Sequence, residues 1–208
     1  MTADISSRTI KRLAPLAEPF ARFTALLEEA TRVPRERLPE PTAFALATAA
    51  GAQPSVRMLL LKGVDERGFV FYTNYESRKG RELLANPRTA MCFHWQPLEM
   101  QVRVEGAALP VEPSEADAYF ASRARASQIG AWASQQSRPI LIEGDLEARV
   151  AEFERKFEGS SVPRPPHWSG FRLTPEQIEF WKGMPGRLHR RELYRRRETD
   201  WLVEILFP

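Results

Sequence analysis

Met100-Gln101-Val102-Arg103-Val104-Glu105 is the stretch that decides the fold. Apolar and polar residues alternate with period two. That spacing puts Met100, Val102 and Val104 on one face of a strand and Gln101, Arg103 and Glu105 on the other. Around it, residues 89–95 read as a second strand across a Gln96-Pro97 turn. Upstream, residues 44–48, 56–62 and 69–73 read as a strand meander. Gly51-Ala52-Gln53-Pro54 and Asp65-Glu66-Arg67-Gly68 supply its turns. Residues 78–85 form a short helix closed by Asn86-Pro87. Downstream, residues 114–136 and 146–157 are helical in composition, and Pro163, Pro165 and Pro166 end the second helix. Strands return over 167–173, 177–181, 188–196 and 201–207. Near the start, Phe20, Phe23, Leu26 and Leu27 recur at helical spacing over residues 18–31, before a loop marked by Pro34, Pro39 and Pro41. Residues 1–15 carry no sustained apolar period. The expectation is therefore a flexible arm over residues 1–17 and one domain over 18–208, a β-barrel core with α decoration (α+β).

Composition narrows the function. The 208 residues can bury a substantial core. No apolar run approaches the ~20 residues of a membrane span, and the N-terminus shows no secretory signal. The single cysteine, Cys92, rules out an internal disulfide and points to a reducing cytoplasm. The three histidines lie at no metal-ligand spacing, so no metal is expected. A net charge of +3 favours anionic ligands but is small for a nucleic-acid binder, and no recognition motif accompanies it.

Three sets of residues look like anion sites. Ser77 is a good N-cap, yet Arg78 and Lys79 in the following first turn oppose the helix dipole. A phosphate bound there would reverse the sign; the alternative is a solvated basic surface. Tyr119, Arg123 and Ser127 stand at i, i+4 and i+8, which puts three donors along one face of the expected helix, either as a phosphate grip or as an ordinary polar stripe. Arg187, His189 and Arg191 would share a face if a strand begins at 187, where they either surround an anion or protect an edge with charge. Lys62 ends the run Met58-Leu59-Leu60-Leu61, so a half-buried stem and a partnered ammonium are expected. Trp181 falls on the polar face of residues 177–181, suited to stacking on a flat ligand or covering a dimer seam. No glycine-rich phosphate loop or nucleophile elbow competes with these signals.

At longer range the chain resembles the pyridoxine/pyridoxamine 5'-phosphate oxidases. The resemblance rests on Arg57-Met-Leu-Leu-Leu-Lys62, Phe71-Tyr-Thr-Asn74, Ser77-Arg-Lys79, Gln101-Val102, the run from Ser127 to Ser137, Gln177-Ile-Glu-Phe-Trp181 and Arg187-Leu-His189, in family order over about residues 41–196. It implies an FMN-binding split barrel that works as a homodimer with FMN at the subunit interface. It implies an FMN site made by Arg57, Met58, Leu59, Leu60 and Lys62, by Tyr72, Thr73, Arg78 and Lys79, and by Gln101, Gln136, Ser137, Trp181 and Arg191. The implied substrate-phosphate residues are Lys62, Tyr119, Arg123 and Ser127, with Arg187 and His189 as the catalytic pair over the pyridine ring. The implied reaction is hydride transfer from C4' of pyridoxamine or pyridoxine 5'-phosphate to flavin N5. Reoxidation by O2 then gives pyridoxal 5'-phosphate and H2O2. A related branch of the fold oxidises phenazine precursors, which is the alternative reading. Two departures stand out: the end is Ile205-Leu206-Phe207-Pro208 where the family has Arg-Leu-x-Pro, and residues 1–20 match poorly.

Overall fold

The computed structural model of the protein describes residues 11–208. The elements run β1 (Lys11–Pro15), α1 (Glu18–Arg32), β2 (Ala43–Ala50), β3 (Gln53–Leu60), β4 (Gly63–Asp65), β5 (Gly68–Asn74), α2 (Arg78–Ala85), β6 (Arg88–Trp95) and β7 (Met100–Pro110). They continue with α3 (Pro113–Ser122), α4 (Arg125–Ala133), α5 (Asp145–Lys156), β8 (Trp168–Lys182), β9 (Arg190–Arg196) and β10 (Asp200–Leu206). All described strand pairs are antiparallel, in the order β1-β10-β9-β8-β7-β6-β2-β3. This is the expected β-barrel with helical decoration, a split barrel.

The alternation in β7 does what its spacing requires. Val102 and Val104 are fully buried, while Gln101 and Glu105 remain partly accessible. Behind β7 lies a core rich in aromatic residues. Phe23 of α1 meets Phe69 and Phe93 edge-on, each at 4.9 Å between ring centroids. Edge-to-face contact sets the positive rim of one ring on the negative face of the next. A second, smaller core of Phe120, Ile129, Phe157 and Trp168 lies under α3, α4 and α5.

Two expectations changed, one at β8 and one at the N-terminal arm. Residues 167–173 and 177–181 are not separate strands but parts of one strand of 15 residues. Along one edge β8 pairs with β7 from Phe171 to Lys182. Its first part pairs with β5 through Phe69↔Leu173 to Asn74↔Trp168, and its last part pairs with β9 through Gln177↔Arg195 to Lys182↔Arg190. The change of partner falls at Thr174-Pro175-Glu176. Pro175 has no N–H to give a ladder, and a register shift between Glu105 and Gly106 of β7 faces it. The arm expected over residues 1–17 lies partly outside the described residues. Of its remainder, Lys11–Pro15 is a strand paired with β10 through Lys11↔Glu204 to Pro15↔Asp200.

Gly106 makes the crossing possible, because a Cβ there would stand 2.1 Å from the Thr174 carbonyl oxygen. Gly106→Ala is expected to cost roughly 1–3 kcal/mol by overpacking. For a chain of this size that lowers the thermal midpoint by about 2–4 °C per kcal/mol. A circular-dichroism melt with an unchanged midpoint would show that the crossing is slack.

Candidate functional site

A cleft of ≈ 500 Å³ opens between β3, β5, the start of α2 and the α3–α4 junction. It is lined by Met58, Leu59, Leu60 and Lys62, by Tyr72, Thr73 and Lys79, and by Tyr119, Arg123, Ser127, Gln136 and Trp168, among others. Among the described residues no lining residue is a carboxylate. Residues singled out from the sequence over a span of some eighty positions thus meet in one place.

At one end sits the start of α2. Ser77 caps it as expected, its Oγ accepting from the Gly80 N–H at 3.2 Å. Lys79 is buried and spends its ammonium on neutral oxygens: Thr73 Oγ1 at 3.1 Å, Ser77 Oγ at 3.1 Å and Gln136 Oε1 at 2.7 Å. Burial, helped by the charge of Arg57 and opposed by Glu82, pulls Lys79 down to about 8. Arg78 is exposed, and its Nε donates to Glu82 Oε1 at 2.9 Å. Its backbone N–H donates to Ser137 Oγ at 3.2 Å. Arg57 points inward from β3 and donates to the Leu46 carbonyl, Thr48 Oγ1, Ser55 Oγ and Glu82 Oε2. The two first-turn cations are therefore offset partly by Glu82, on the same helix four residues after Arg78. Arg57, Arg78 and Ser137 stand beside the cleft without lining it.

At the other end three aromatic rings stack. Tyr72 lies 4.0 Å from Tyr119 and 5.4 Å from Trp168, both nearly parallel to it. Burial, with Glu115 and Tyr119 adding to it, holds the Tyr72 phenol up at about 12, so it is a hydroxyl donor at neutral pH. Arg123 lies over Trp168 at 4.7 Å, and its Nη1 is buried with no hydrogen-bond partner among the described residues. Burial lowers its pKa, with Tyr119 opposing, yet a guanidinium stays charged at any ordinary pH.

The single helix expected over 114–136 is broken, and the reason is local. Arg123 is extended (φ −72°, ψ 149°), which ends α3, and α4 starts afresh at Arg125. Gln128 reaches back so that its Nε2 donates to the carbonyls of Phe120 and Ala121, replacing helical N–H donors. Tyr119, Arg123 and Ser127 consequently do not share one helical face. They converge because the chain turns between them. Lys62 also departs from expectation: it is exposed at the cleft mouth.

The remaining residues form a second group away from the cleft. Gln101, Trp181 and Arg191 lie in register across β7, β8 and β9. Arg191 donates to both carboxylate oxygens of the buried Glu179, at 2.8 and 3.1 Å, and to the Phe207 carbonyl. β9 begins at Arg190, so Arg187 and His189 precede the strand and do not share a strand face with Arg191. Gly186 and Arg187 both take positive φ, +67° and +62°; that is costly for arginine and presents its side chain from a tight turn. His189 packs on Trp181 with centroids 4.6 Å apart. The Met184 N–H donates to its Nδ1, which leaves the neutral ring's proton on Nε2. Neither Trp168 nor Glu82 was singled out from the sequence. Glu82 had a signal in its i+4 spacing from Arg78; Trp168 had only its place at a strand start.

A split barrel with a cation-lined cleft defines a class: a barrel protein with a site built for anionic ligands. Residues 31–182 match the family described as pyridoxamine 5'-phosphate oxidase, and residues 168–208 match the pyridoxine 5'-phosphate oxidase C-terminal dimerisation region. The chain is 54% identical over 192 residues to the pyridoxine/pyridoxamine 5'-phosphate oxidase of Myxococcus xanthus (strain DK1622), covering 92% of each chain. It is 55% identical over 193 residues to the enzyme of that name from Anaeromyxobacter dehalogenans (strain 2CP-C), covering 92% of this chain and 96% of the other. Among solved structures, PhzG from Burkholderia lata 383, in complex with tetrahydrophenazine-1-carboxylic acid, superposes with a TM-score of 0.84 at 35% identity, covering 91% of this chain and 92% of the other. The chain belongs to the pyridoxamine 5'-phosphate oxidase family.

The Lys79 ammonium is present below about pH 8 and lost above it. Inorganic phosphate is therefore expected to raise the thermal midpoint at about pH 7 and much less at about pH 10, by mass action on the folded state. Lys79→Met should abolish the effect. Equal protection by phosphate at both pH values would remove Lys79 from the anion site.

Proposed function

We propose that the protein is an FMN-dependent oxidase that converts pyridoxamine or pyridoxine 5'-phosphate to pyridoxal 5'-phosphate with O2, giving H2O2. One observation carries this reading. Besides the exposed Lys62 at its mouth, two desolvated cations line one cleft, the buried Lys79 and the half-buried Arg123, and among the described residues neither has a carboxylate partner. Desolvated charge is costly without a counter-charge, so such a cleft suits ligands that bring two anionic groups. An FMN phosphate fits at Lys79, where Arg57, Arg78, Gln136 and Ser137 gather. A substrate phosphate fits at Arg123, with Tyr119, Ser127 and the long-stemmed Lys62. Bound there, FMN would accept a hydride and return the electrons to O2.

The protein's part is placement. Two anchored phosphates hold two reactants in one orientation, which makes the encounter effectively unimolecular. Tyr72 and Thr73 give the cleft a polar wall, while Met58, Leu59 and Leu60 give it an apolar one. Arg187, Trp181, His189, Gln101 and Arg191 line no part of this cleft, and Trp168 and Trp181 stand at opposite ends of β8. In a homodimer the second group of one subunit would complete the cleft of the other. Edge strand β3 supports this, since it exposes Val56 and Met58 by 68% and 64%, an apolar edge that asks for cover. There Arg187 would clamp the substrate ring and stabilise developing negative charge, with His189 Nε2–H donating to its oxygen substituent.

The likeness to PhzG favours a second reading, oxidation of a tricyclic carboxylate, since a carboxylate could also satisfy Arg123. Oxygen uptake with pyridoxamine 5'-phosphate, unphosphorylated pyridoxamine and a dihydrophenazine carboxylate separates the two. Uptake with the phosphorylated vitamer alone is the expected result; uptake with the tricycle alone would replace the first reading by the second. A preparation that stays colourless after FMN addition would defeat both. Arg187→Ala is expected to lower kcat about 100-fold while the bound flavin stays. Loss of flavin instead would place Arg187 in the cofactor site. Arg123→Glu should raise KM for the phosphorylated substrate by at least roughly tenfold, as loss of a charge-assisted bond implies. An unchanged KM would remove it from the phosphate site.

A further inference from the structure

The cation cradle at the start of α2 contains one carboxylate that the reading above does not use. Glu82 is buried, with its side chain 6% exposed. Its Oε2 accepts from Thr48 Oγ1 at 2.5 Å, from Ser55 Oγ at 2.7 Å and from Arg57 Nη2 at 3.2 Å. Its Oε1 accepts from Arg78 Nε at 2.9 Å. Helix α2 and strands β2 and β3 thus all meet on one side chain. Burial would push Glu82 upward, but the hydrogen bonds from Thr48, Ser55 and Arg78 and the charge of Arg78 bring it down to about 2. It is an anion at every working pH.

We propose that Glu82 is a positioning residue of the cradle: its carboxylate orients Arg57 and Arg78 and leaves three cations with a net charge of two, matching a phosphate-monoester dianion. The proposal rests on the flavin reading for the identity of that phosphate, but the role of Glu82 is set by this chain alone. Arg57, Arg78 and Lys79 converge from β3 and from two successive positions of α2. Among the described residues Glu82 is the carboxylate that both guanidinium groups contact. Without it three like charges would face each other before any ligand arrived, and the most buried of them, Lys79, would release its proton first. Lys79 touches Thr73 from β5, Ser77 ahead of α2, and Gln136 after α4, all neutral. The charges acting on it come from Arg57, which disfavours its ammonium, and from Glu82, which favours it. A second guanidinium site is built alike: Glu179 takes Arg191 and Arg103, at 2.8 and 3.0 Å.

The test is the pH titration of Lys79, followed by the 13Cε chemical shift of labelled lysine in the full-length protein and assigned with Lys79→Arg. FMN binding by fluorescence quenching is measured in parallel over the same pH range. Glu82→Gln keeps the size of the side chain and removes its charge. It is expected to move the Lys79 midpoint down by about one pH unit, the scale of one nearby charge, and to move the alkaline loss of FMN binding with it. Glu82→Asp keeps the charge and disturbs the packing; its midpoint should stay with the wild type even where its melting temperature falls. A Glu82→Gln titration that overlays the wild type overturns the proposal. So does an equal shift in both variants, which would make Glu82 a packing residue only. The lysine signal needs no flavin. A protein that shows the expected split but binds no FMN would therefore defeat the flavin reading and leave the role of Glu82 standing.

Discussion

Strand β8 changes partners at one point, and the rest of the molecule is arranged around that change. Its first half closes against β5 and its second half against β9, while β7 runs along the other edge of both. Two backbones must cross closely for this, and Gly106 against the Thr174 carbonyl is where they do. Pro175 releases the ladder at the same place by having no donor. The split gives β8 two ends with different duties. Trp168 at the first end roofs the cleft and carries Arg123 on its face, and Trp181 at the second end packs against His189. A single strand thereby holds one member of each site group in fixed relation.

Electrostatics then divides the work. The barrel interior is apolar and aromatic, so it tolerates no loose charge. The cations of the two site groups are handled in two ways. Arg57 and Arg78 are paired to Glu82, and Arg191 to Glu179. Lys79 and Arg123 are left to neutral oxygens or to an aromatic face. The first arrangement holds a guanidinium still. The second leaves desolvated positive charge that a ligand anion can satisfy. Residues of the second kind reduce the stability of the free protein and increase what binding gains.

Much of this was legible in the chain. Ser77-Arg78-Lys79 announces a capped helix whose first turn lacks an anion, and the helix and its cap are present; that Lys79 is buried is the structure's addition. The alternation of residues 100–105 places β7 correctly. Long motif matches carry the family. Other features were not legible, for physical reasons. Between Ser114 and Gln136 there is no proline and no β-branched run to end a helix. It is broken at the extended Arg123, and the Gln128 side chain satisfies the Phe120 and Ala121 carbonyls there, a contact that helical periodicity does not register. Lys11–Pro15 has no apolar period because β1 is an edge whose register is set by β10. Lys62 follows an apolar run and was expected to be half buried. The run alternates instead: Leu59 and Leu61 pack on the core, while Met58, Leu60 and Lys62 fall on the exposed side.

What the sequence by itself determined is local: where most of the strands lie, where α2 starts, and which side chains have phosphate-binding chemistry. These follow from periodicity, capping and residue type, all read within a few residues. What only the tertiary structure decided is how those side chains are shared out. Lys79, Tyr119, Arg123 and Ser127 converge on one cleft, while Arg187, His189 and Arg191 stand apart from it with Trp181. That division comes from strand partners far apart in sequence, and from a close approach of Gly106 to Thr174. Such pairings depend on which distant backbone satisfies a given N–H, and no local pattern encodes that choice.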